Sequence, residues 1–210
     1  MSNKMILTGF EPFGDSDVNP SIIACRSFDD KVINDFRIKV FEIPLSFYEI
    51  KGSIERIMTK ELPSAIVCTG QSPRPVISLE RIAINIADIK KSAYNCGTKP
   101  VDLKLEVVGQ DGYFTKLPIK LINKNLERNK IPSEISNSAG TFGCNQIFYH
   151  LMHYINVSNL NIPAGFLHIP SMPEQVIGKK LPSMSIETTI KGIEIVIKTI
   201  IEIIEKDKQV

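Results

Sequence analysis

Long apolar runs are missing from this sequence of 210 residues, and its first nine residues carry only a three-residue one, at positions 5–7. A bilayer span needs about 20 consecutive apolar residues, and the core of a signal peptide needs at least about seven. We therefore expect a cytoplasmic protein without a membrane segment.

An excess of either charge is also missing. Lysine and arginine number 25 against 23 aspartate and glutamate, which gives a net charge of +2, and the lysines are scattered apart from a cluster at positions 206–208. This balance argues against nucleic acid and anionic membranes as partners. With 43% hydrophobic residues and no low-complexity linker, the chain is predicted to form a single domain over residues 1–210.

Cysteine is sparse, and no two cysteines form a Cys-x-x-Cys pair. The four are Cys25, Cys68, Cys96 and Cys144, with no histidine nearby at ligand spacing, so a disulfide framework or a structural zinc site is not expected. Cys25 and Cys68 stand in apolar segments and are predicted to be small buried residues. Cys96, in a loop, is expected to be an ordinary loop cysteine, with a redox-sensitive thiol as the alternative.

What the sequence does contain is an alternation of apolar runs and amphipathic segments, which predicts an α/β fold with helices on both faces of a sheet. The predicted strands are residues 5–7, 37–43, 64–69, 82–87 and 165–169, and the predicted helices are residues 21–28, 48–60, 114–128, 144–155 and 186–205. In the last helix isoleucines recur every three or four residues, which predicts a stripe that faces the core and could also contact another subunit. Ser185 is placed to cap this helix.

Two further segments interrupt this pattern. Residues 76–88 are expected to form an extended hairpin or a bent pair of strands, in which Glu80 and Arg81 are best explained by a mutual salt bridge. Residues 92–99 are predicted to be an irregular loop.

The segment 138–145, with sequence SAGTFGCN, is the strongest chemical signal. It places Cys144 where a loop of small residues becomes a helix, and the free N–H groups and positive dipole of a helix start favour thiolate over thiol. The same N–H groups could stabilise an oxyanion. The segment predicts a cysteine nucleophile.

A base for this cysteine can be sought among only three histidines. His150 and His153 lie about 240° and 180° around the helix from Cys144, so neither is expected to reach the thiol. His168 ends a predicted strand, at the sheet edge where active sites of α/β proteins collect, and is the predicted base. A third group would orient it; Glu80 is the most eligible, with Asp88 and Glu174 as alternatives.

At these residues the sequence resembles the type I, cysteine-class pyroglutamyl peptidases, also called pyrrolidone carboxyl peptidases. The similarity runs nearly end to end, in six blocks in the same order. The matching segments are residues 8–14 with 18–21, 69–71, 77–85, 113–114 with 117–120, 138–142 with 144–145, and 168–170 with 173–175.

The resemblance implies a catalytic triad of Glu80, His168 and Cys144, so that Glu80 is an acid of the site rather than half of a structural salt bridge. It also implies a three-layer α/β/α sandwich with a mostly parallel, twisted central sheet, usually assembled as a homotetramer. The implied reaction is hydrolysis of an N-terminal 5-oxoproline from peptides, with neither a metal nor an organic cofactor.

The resemblance further implies a substrate pocket. Aromatic walls and a few oriented hydrogen bonds can select a flat, uncharged lactam. The residues implied to bind substrate are Phe10, Phe13, Asn19, Gln71, Phe142 and Gly143, with Lys90 as a candidate for oxyanion support.

The sequence departs from the family pattern at four places around this pocket. The loop from Gln71 to Arg74 is one residue shorter, and residues 91–97 are changed and one residue longer. Gly143 stands where valine is expected, which predicts a looser pocket wall, and Lys90 stands where arginine is usual. Two alternatives to the peptidase therefore remain: a thiol hydrolase of another small acyl or lactam amide, and a binding homologue with weakened catalysis.

Overall fold

The computed structural model describes residues 3–90 and 92–208 of the chain. Within them it has nine β-strands, five α-helices and one short 3-10 helix, Pro173–Val176. The strands are β1 (Lys4–Phe10), β2 (Val32–Ile33), β3 (Phe36–Ile43), β4 (Ala65–Gln71), β5 (Ile77–Glu80), β6 (Ile82–Ile84), β7 (Gly112–Phe114), β8 (Ser133–Ser136) and β9 (Ala164–Ile169). The helices are α1 (Pro20–Arg26), α2 (Ile50–Glu61), α3 (Ile119–Arg128), α4 (Gly143–Val157) and α5 (Ile186–Asp207).

A seven-stranded sheet in the order β2-β3-β1-β4-β9-β5-β8 forms the centre of the molecule. Strands β3, β1, β4 and β9 are parallel to one another, and β8 is parallel to β5. Strand β5 runs antiparallel to β9, and the short edge strand β2 runs antiparallel to β3. The mostly parallel sheet predicted from the sequence is confirmed.

Helices cover both faces of this sheet, because side chains of a strand alternate between its two faces. Helices α1, α3 and α5 pack with the residues of one face, and α2 and α4 pack with those of the other. The isoleucine stripe of α5 lies in the first of these cores, with Ile193, Ile197 and Ile200 fully buried. Ser185 caps that helix by accepting a hydrogen bond from Thr188 N at 3.2 Å. The α/β/α arrangement is therefore as predicted.

The predicted helices are all present, but the third begins later than predicted. Residues 112–114 form β7, which pairs with β6, and α3 begins only at Ile119. Pro118 explains the difference, since the residue before a proline is disfavoured in the helical region and the helix can start only beyond it.

The segment around Glu80 is bent, and the hairpin alternative is wrong. Strand β5 joins the central sheet between β9 and β8, whereas β6 pairs with β7 in a separate two-stranded sheet. The predicted strand 82–87 therefore ends at Ile84. The irregular region is also longer than predicted: the described residues between β6 and β7 carry only an isolated bridge between Ala87 and Leu103.

Among the residues that the structure describes, no helix is both long enough and apolar enough to cross a bilayer.

Candidate active site

Cys144 is the second residue of α4, at the end of the loop that follows β8. Phe142 precedes the helix in an extended conformation, and its carbonyl accepts the first intrahelical bond, from Gln146 N at 2.9 Å. The N–H groups of Gly143, Cys144 and Asn145 come before that bond and have no acceptor among the described residues. They are therefore available as donors to an oxyanion.

The start of α4 is held in place by side chains of its first turn. Asn145 Oδ1 accepts from Ile84 N at 2.9 Å, while its Nδ2 donates to the carbonyls of Ile84 and Ile86. Gln146 Nε2 donates to Phe47 O at 2.8 Å. These bonds fix the first turn against the end of β6 and against the loop before α2, so the position of Cys144 is set by polar contacts of two buried side chains.

Gly70, near the end of β4, lies directly beside the thiol. A Cβ atom added at Gly70 would lie 2.6 Å from Cys144 Sγ and 2.9 Å from Phe166 Cζ, closer than any real side chain allows. Gly70 is paired in register with His168 on the adjacent strand β9. The absence of a side chain at this position lets the thiol approach the sheet beside His168.

His168 and Glu80 form a buried pair across β9 and β5. His168 Nδ1 lies 2.7 Å from Glu80 Oε1, and both residues are almost fully buried. The ring of Phe166 packs edge-on against the imidazole, with centroids 5.0 Å apart. With Nδ1–H donating to the carboxylate, Nε2 is the basic nitrogen of the ring. This is the geometry that orients a histidine base.

The second partner of Glu80 is Arg74 rather than Arg81. Arg74 Nη1 donates to Glu80 Oε1 at 2.7 Å, whereas Arg81 Nε donates to Asn137 Oδ1. The mutual salt bridge predicted between Glu80 and Arg81 is wrong, because consecutive residues of a strand point to opposite faces of the sheet. The shortened loop after Gln71 still delivers Arg74 to the carboxylate.

Burial has the largest effect on the pKa of the free Cys144 thiol. It raises the pKa of Cys144 to about 12, the negative charge of Glu80 adds to the rise, and Arg74 opposes it. The free N–H groups at the start of α4 favour the thiolate, and burial opposes them. Loss of the Cys144 proton therefore calls for a base.

A small cavity lies directly beside Cys144. Its lining combines three phenylalanine rings with two amide side chains and one leucine. The residues are Phe10, Phe13, Asn19, Leu45, Gln71, Phe142 and Cys144. Five of the six predicted substrate-binding residues thus line one cavity with the predicted nucleophile, and Leu45 is an addition that the sequence did not indicate.

The two amides of this cavity are fixed by hydrogen bonds of their own. Asn19 caps α1 by accepting from Ser21 N at 3.0 Å, and its Nδ2 donates to Glu11 O. Gln71 Nε2 donates to Ser171 Oγ at 2.8 Å, which ties β4 to the segment after β9. Both side chains are therefore held rigidly at the cavity wall.

Gly143, the sixth predicted residue, is buried behind the cavity rather than lining it. A Cβ atom added there would overlap Leu45 Cδ1 and would lie 3.6 Å from Tyr94 Cε1. The Tyr94 ring in turn packs against Phe142, with centroids 4.7 Å apart. The looser wall predicted from this glycine is wrong, because Leu45 fills the space that a larger residue would occupy.

The other predicted residues lie outside the cavity. Lys90 is exposed, and Asp88 contacts Thr141 through backbone atoms. Glu174 is exposed in the wall of a wider groove beyond the cavity mouth. The structure therefore brings neither alternative acid to His168.

His150 and His153 point away from the thiol, as predicted. His150 Nδ1 lies 3.2 Å from Glu106 Oε1, and burial lowers the pKa of His150; His153 Nδ1 lies 2.9 Å from Tyr113 OH. Both line a separate small cavity. Within the described part of the chain, no cluster of three or more His, Cys, Asp or Glu side chains could hold a metal ion.

Cys96 is exposed and differs from the two buried thiols. Burial opposes its ionisation, but hydrogen bonds from Thr98, from the backbone of Phe47 and from Ser46 outweigh it and lower the pKa of Cys96 to about 7. Burial raises the pKa of Cys25 and of Cys68 to about 12. Cys96 is therefore the thiol that reagents in solution meet first.

Comparisons with known proteins show the family of this chain. The family model described as pyroglutamyl peptidase matches residues 3–203. The pyrrolidone-carboxylate peptidase of Bacillus licheniformis is 42% identical over 196 residues, which are 93% of this chain and 91% of that protein. The corresponding protein of Thermosipho melanesiensis is 42% identical over 200 residues, covering 94% and 98%.

Solved structures are similar over the whole fold. The crystal structure of pyroglutamyl peptidase I from Bacillus amyloliquefaciens superimposes with a TM-score of 0.91 at 36% identity, covering 95% of each chain. The pyrrolidone carboxyl peptidase of Thermococcus litoralis gives a TM-score of 0.92 at 34% identity, covering 97% of this chain and 96% of the other. The chain therefore belongs to the pyroglutamyl peptidase family.

Proposed function

We propose that this protein is a cysteine exopeptidase that removes an N-terminal 5-oxoproline (pyroglutamyl) residue from peptides. One observation carries the proposal: Cys144 packs on Gly70, the register partner of His168, which bonds to Glu80, and a small cavity with aromatic walls lies beside the thiol. The names of the relatives, pyrrolidone-carboxylate peptidase and pyroglutamyl peptidase I, give the same activity.

In the first half of the reaction Cys144 attacks the oxoprolyl carbonyl. His168 Nε2 takes the thiol proton as the carbon–sulfur bond forms, so that no free thiolate has to persist in the apolar setting. The N–H groups at the start of α4 receive the charge that develops on the carbonyl oxygen. The imidazolium, stabilised by Glu80, then gives its proton to the leaving amine, and the oxoprolyl thioester remains on Cys144.

In the second half, water replaces the amine. Neutral His168 takes a proton from the water as it attacks the thioester, and the proton then passes to the sulfur as the carbon–sulfur bond breaks. The products are free 5-oxoproline and the original thiol. The sequence of steps needs only the atoms of substrate, water and the three side chains, with neither a metal nor an organic cofactor.

The cavity accounts for the choice of substrate. The lactam ring is flat, so Phe10, Phe13 and Phe142 can enclose it, while Gln71 offers polar atoms to its amide edge. A charged α-amino terminus would lose its hydration against these aromatic walls without gaining a carboxylate partner, and is therefore rejected.

A fluorogenic 5-oxoprolyl amide tests the activity directly. We expect release of the fluorophore by the wild type, loss of release in Cys144→Ser, and near wild-type release in the matched control Cys96→Ser. Cleavage of other acyl amides only would favour a thiol hydrolase of different specificity. A folded wild type that cleaves neither substrate would favour the weakened binding homologue.

We also infer a homotetramer in the cytoplasm, as the family resemblance implies. Support for assembly comes from Val107 and Val108, which are 86% and 97% exposed and whose apolar side chains could contact another copy. Support for the location comes from the four cysteines, none of which forms a disulfide among the described residues, since free thiols persist in a reducing compartment. Light scattering would test assembly, because a mass of one chain in solution contradicts the tetramer; activity confined to the membrane or secreted fraction would contradict the location.

A further inference from the structure

Arg74 connects the acid of the site to the loop that carries the nucleophile. It lies in the loop between β4 and β5, and its side chain is 29% exposed. Nη1 donates to Glu80 Oε1 at 2.7 Å, and Nη2 donates to Ser138 O at 2.9 Å, in the segment that leads to Cys144. A planar guanidinium can hold two such partners at once, which an ammonium cannot do with the same geometry.

The charges around Glu80 show why this contact matters. Glu80 is fully buried, its Oε1 serves both Arg74 and His168, and its Oε2 has no partner among the described residues. The other titratable groups near this cluster are Glu134 on β8, whose Oε1 lies 3.9 Å from Arg74 Nη1, and the Cys144 thiol on α4. Arg74 is thus the permanent cation that faces the buried carboxylate.

Removal of the Arg74 charge would change where a proton sits on Glu80 and His168. A buried carboxylate with no permanent positive partner either takes up a proton or draws one onto the neighbouring imidazole. In the first case Glu80 could no longer stabilise the imidazolium, and in the second the imidazole could not accept a further proton from Cys144. Arg74 supplies the positive charge that balances the buried carboxylate.

We propose that Arg74 is a positioning residue of the peptidase: it balances the charge of the carboxylate that orients His168, and it fixes the loop that leads to Cys144. The inference rests on the proposed function for its role in catalysis. The electrostatic interaction of Arg74 with Glu80 and His168 does not depend on the substrate. It can therefore be measured both without the substrate and with it.

The first measurement is alkylation of Cys144 by iodoacetamide between pH 5 and 10, read by mass spectrometry in a Cys96→Ser background. The second is the pH dependence of kcat and KM with the 5-oxoprolyl amide. For Arg74→Met we expect the acid limb of both profiles to move to higher pH by about one unit, because Glu80 now favours the imidazolium. We expect kcat at pH 7 to fall about 10- to 100-fold, with KM changed less than about threefold.

Arg81→Met is the matched control. Arg81 contacts the same loop, through Asn137, but does not touch Glu80, so its profiles should match the wild type. Arg74→Lys keeps the charge, and its acid limb should return close to the wild-type position while kcat stays reduced. A merely structural role would change stability in Arg74→Met and leave the pH profiles where they are.

The proposal would be overturned if the acid limb of Arg74→Met superimposed on those of the wild type and Arg81→Met. It would also be overturned if the acid limb of Arg74→Lys moved as far as that of Arg74→Met. If Arg74→Met does not fold, Arg74→Gln, which keeps a donor but no charge, takes its place under the same criterion. If the wild type cleaves no oxoprolyl amide, the proposed function fails, while the alkylation profiles still decide the role of Arg74.

Discussion

A single oxygen of Glu80 accepts hydrogen bonds from two side chains, His168 and Arg74. Its negative charge therefore has two effects, since it orients the imidazole and stabilises the imidazolium that forms when the thiol loses its proton. An amide of the same shape could fill the space but could supply neither effect.

Glu80→Gln should therefore lose catalysis while keeping the fold. We expect kcat to fall about 10²- to 10⁴-fold, because the amide neither stabilises the imidazolium nor favours the productive tautomer. Thermal unfolding followed by circular dichroism should show a folded protein at the assay temperature. Glu127→Gln, which alters an exposed carboxylate that accepts from Asn123 within α3, is the control and should keep about the wild-type rate.

Gly143 offers a second test at the scale of one residue. Gly143→Ala should lower the free energy of unfolding by about 1–3 kcal/mol and raise KM, because the new methyl group displaces Leu45 toward the cavity. Denaturant unfolding and steady-state kinetics measure the two effects. Adding Leu45→Ala should recover part of both, as expected for residues in contact.

The control for Gly143→Ala is Gly52→Ala in α2. The nearest obstacle there is the flexible end of the Arg56 side chain, so the substitution should be neutral or should stabilise by up to about 1 kcal/mol. Equal destabilisation by the two substitutions would contradict the role assigned to Leu45.

At the scale of elements, long periodic segments could be predicted and short ones could not. Helix α5 was predicted because its isoleucines repeat with the helical period and Ser185 caps it. Strands β2, β7 and β8 have two to four residues each, too few to show an alternation, and their pairing depends on distant segments. The late start of α3 follows from Pro118, a local signal that the prediction of a helix from residue 114 left out.

The start of α4 is the element on which the site depends most. Asn145→Ala should lower the free energy of unfolding by about 2–4 kcal/mol, because a buried N–H group and two carbonyl groups of residues 84–86 lose their partners. It should also lower kcat, since the turn that carries Cys144 loses its anchor. Chemical denaturation and the fluorogenic assay measure both.

Asn156→Ala, an exposed position near the other end of α4, is the matched control and should change stability by less than about 0.5 kcal/mol. A similar loss of stability in both variants would mean that the hydrogen bonds of Asn145 do not fix the helix start.

At the scale of the whole molecule, the candidate site draws on distant parts of the chain. Cys144 and His168 were predicted from their positions at a helix start and a strand end. Spacing alone could not select Glu80 over Asp88 or Glu174, because β5 enters the sheet antiparallel, between β9 and β8, and nothing local indicates that order. The family resemblance indicated Glu80. Neither the spacing of residues nor the resemblance indicated that Gly70, Leu45 and Arg74 complete the site.

Stability should depend on pH through the two buried cysteines. Burial raises the pKa of Cys25 and Cys68 from 9.0 to about 12, so the folded state holds these protons more tightly than the unfolded state does. Their contribution is complete below about pH 9 and is lost as pH rises toward 12, at about 1.4 kcal/mol per pH unit for each thiol. Denaturant unfolding between pH 8 and 10.5 should show a flatter decline in Cys25→Ala than in the wild type.

Cys96→Ser should leave the decline between pH 9 and 10.5 unchanged, because Cys96 is exposed and its pKa is lowered rather than raised. An identical slope in Cys25→Ala and the wild type would show that the buried thiols do not govern this part of the stability curve.

The raised pKa of Cys144 also bears on how long its thiol survives when peroxides are present. Peroxides attack thiolates and convert them first to sulfenic acid and then to forms that reductants cannot restore. A nucleophile that gives up its proton only to His168 during turnover spends little time in the vulnerable form. The exposed thiol of Cys96 is oxidised first, so damage begins on a loop rather than at the reacting atom.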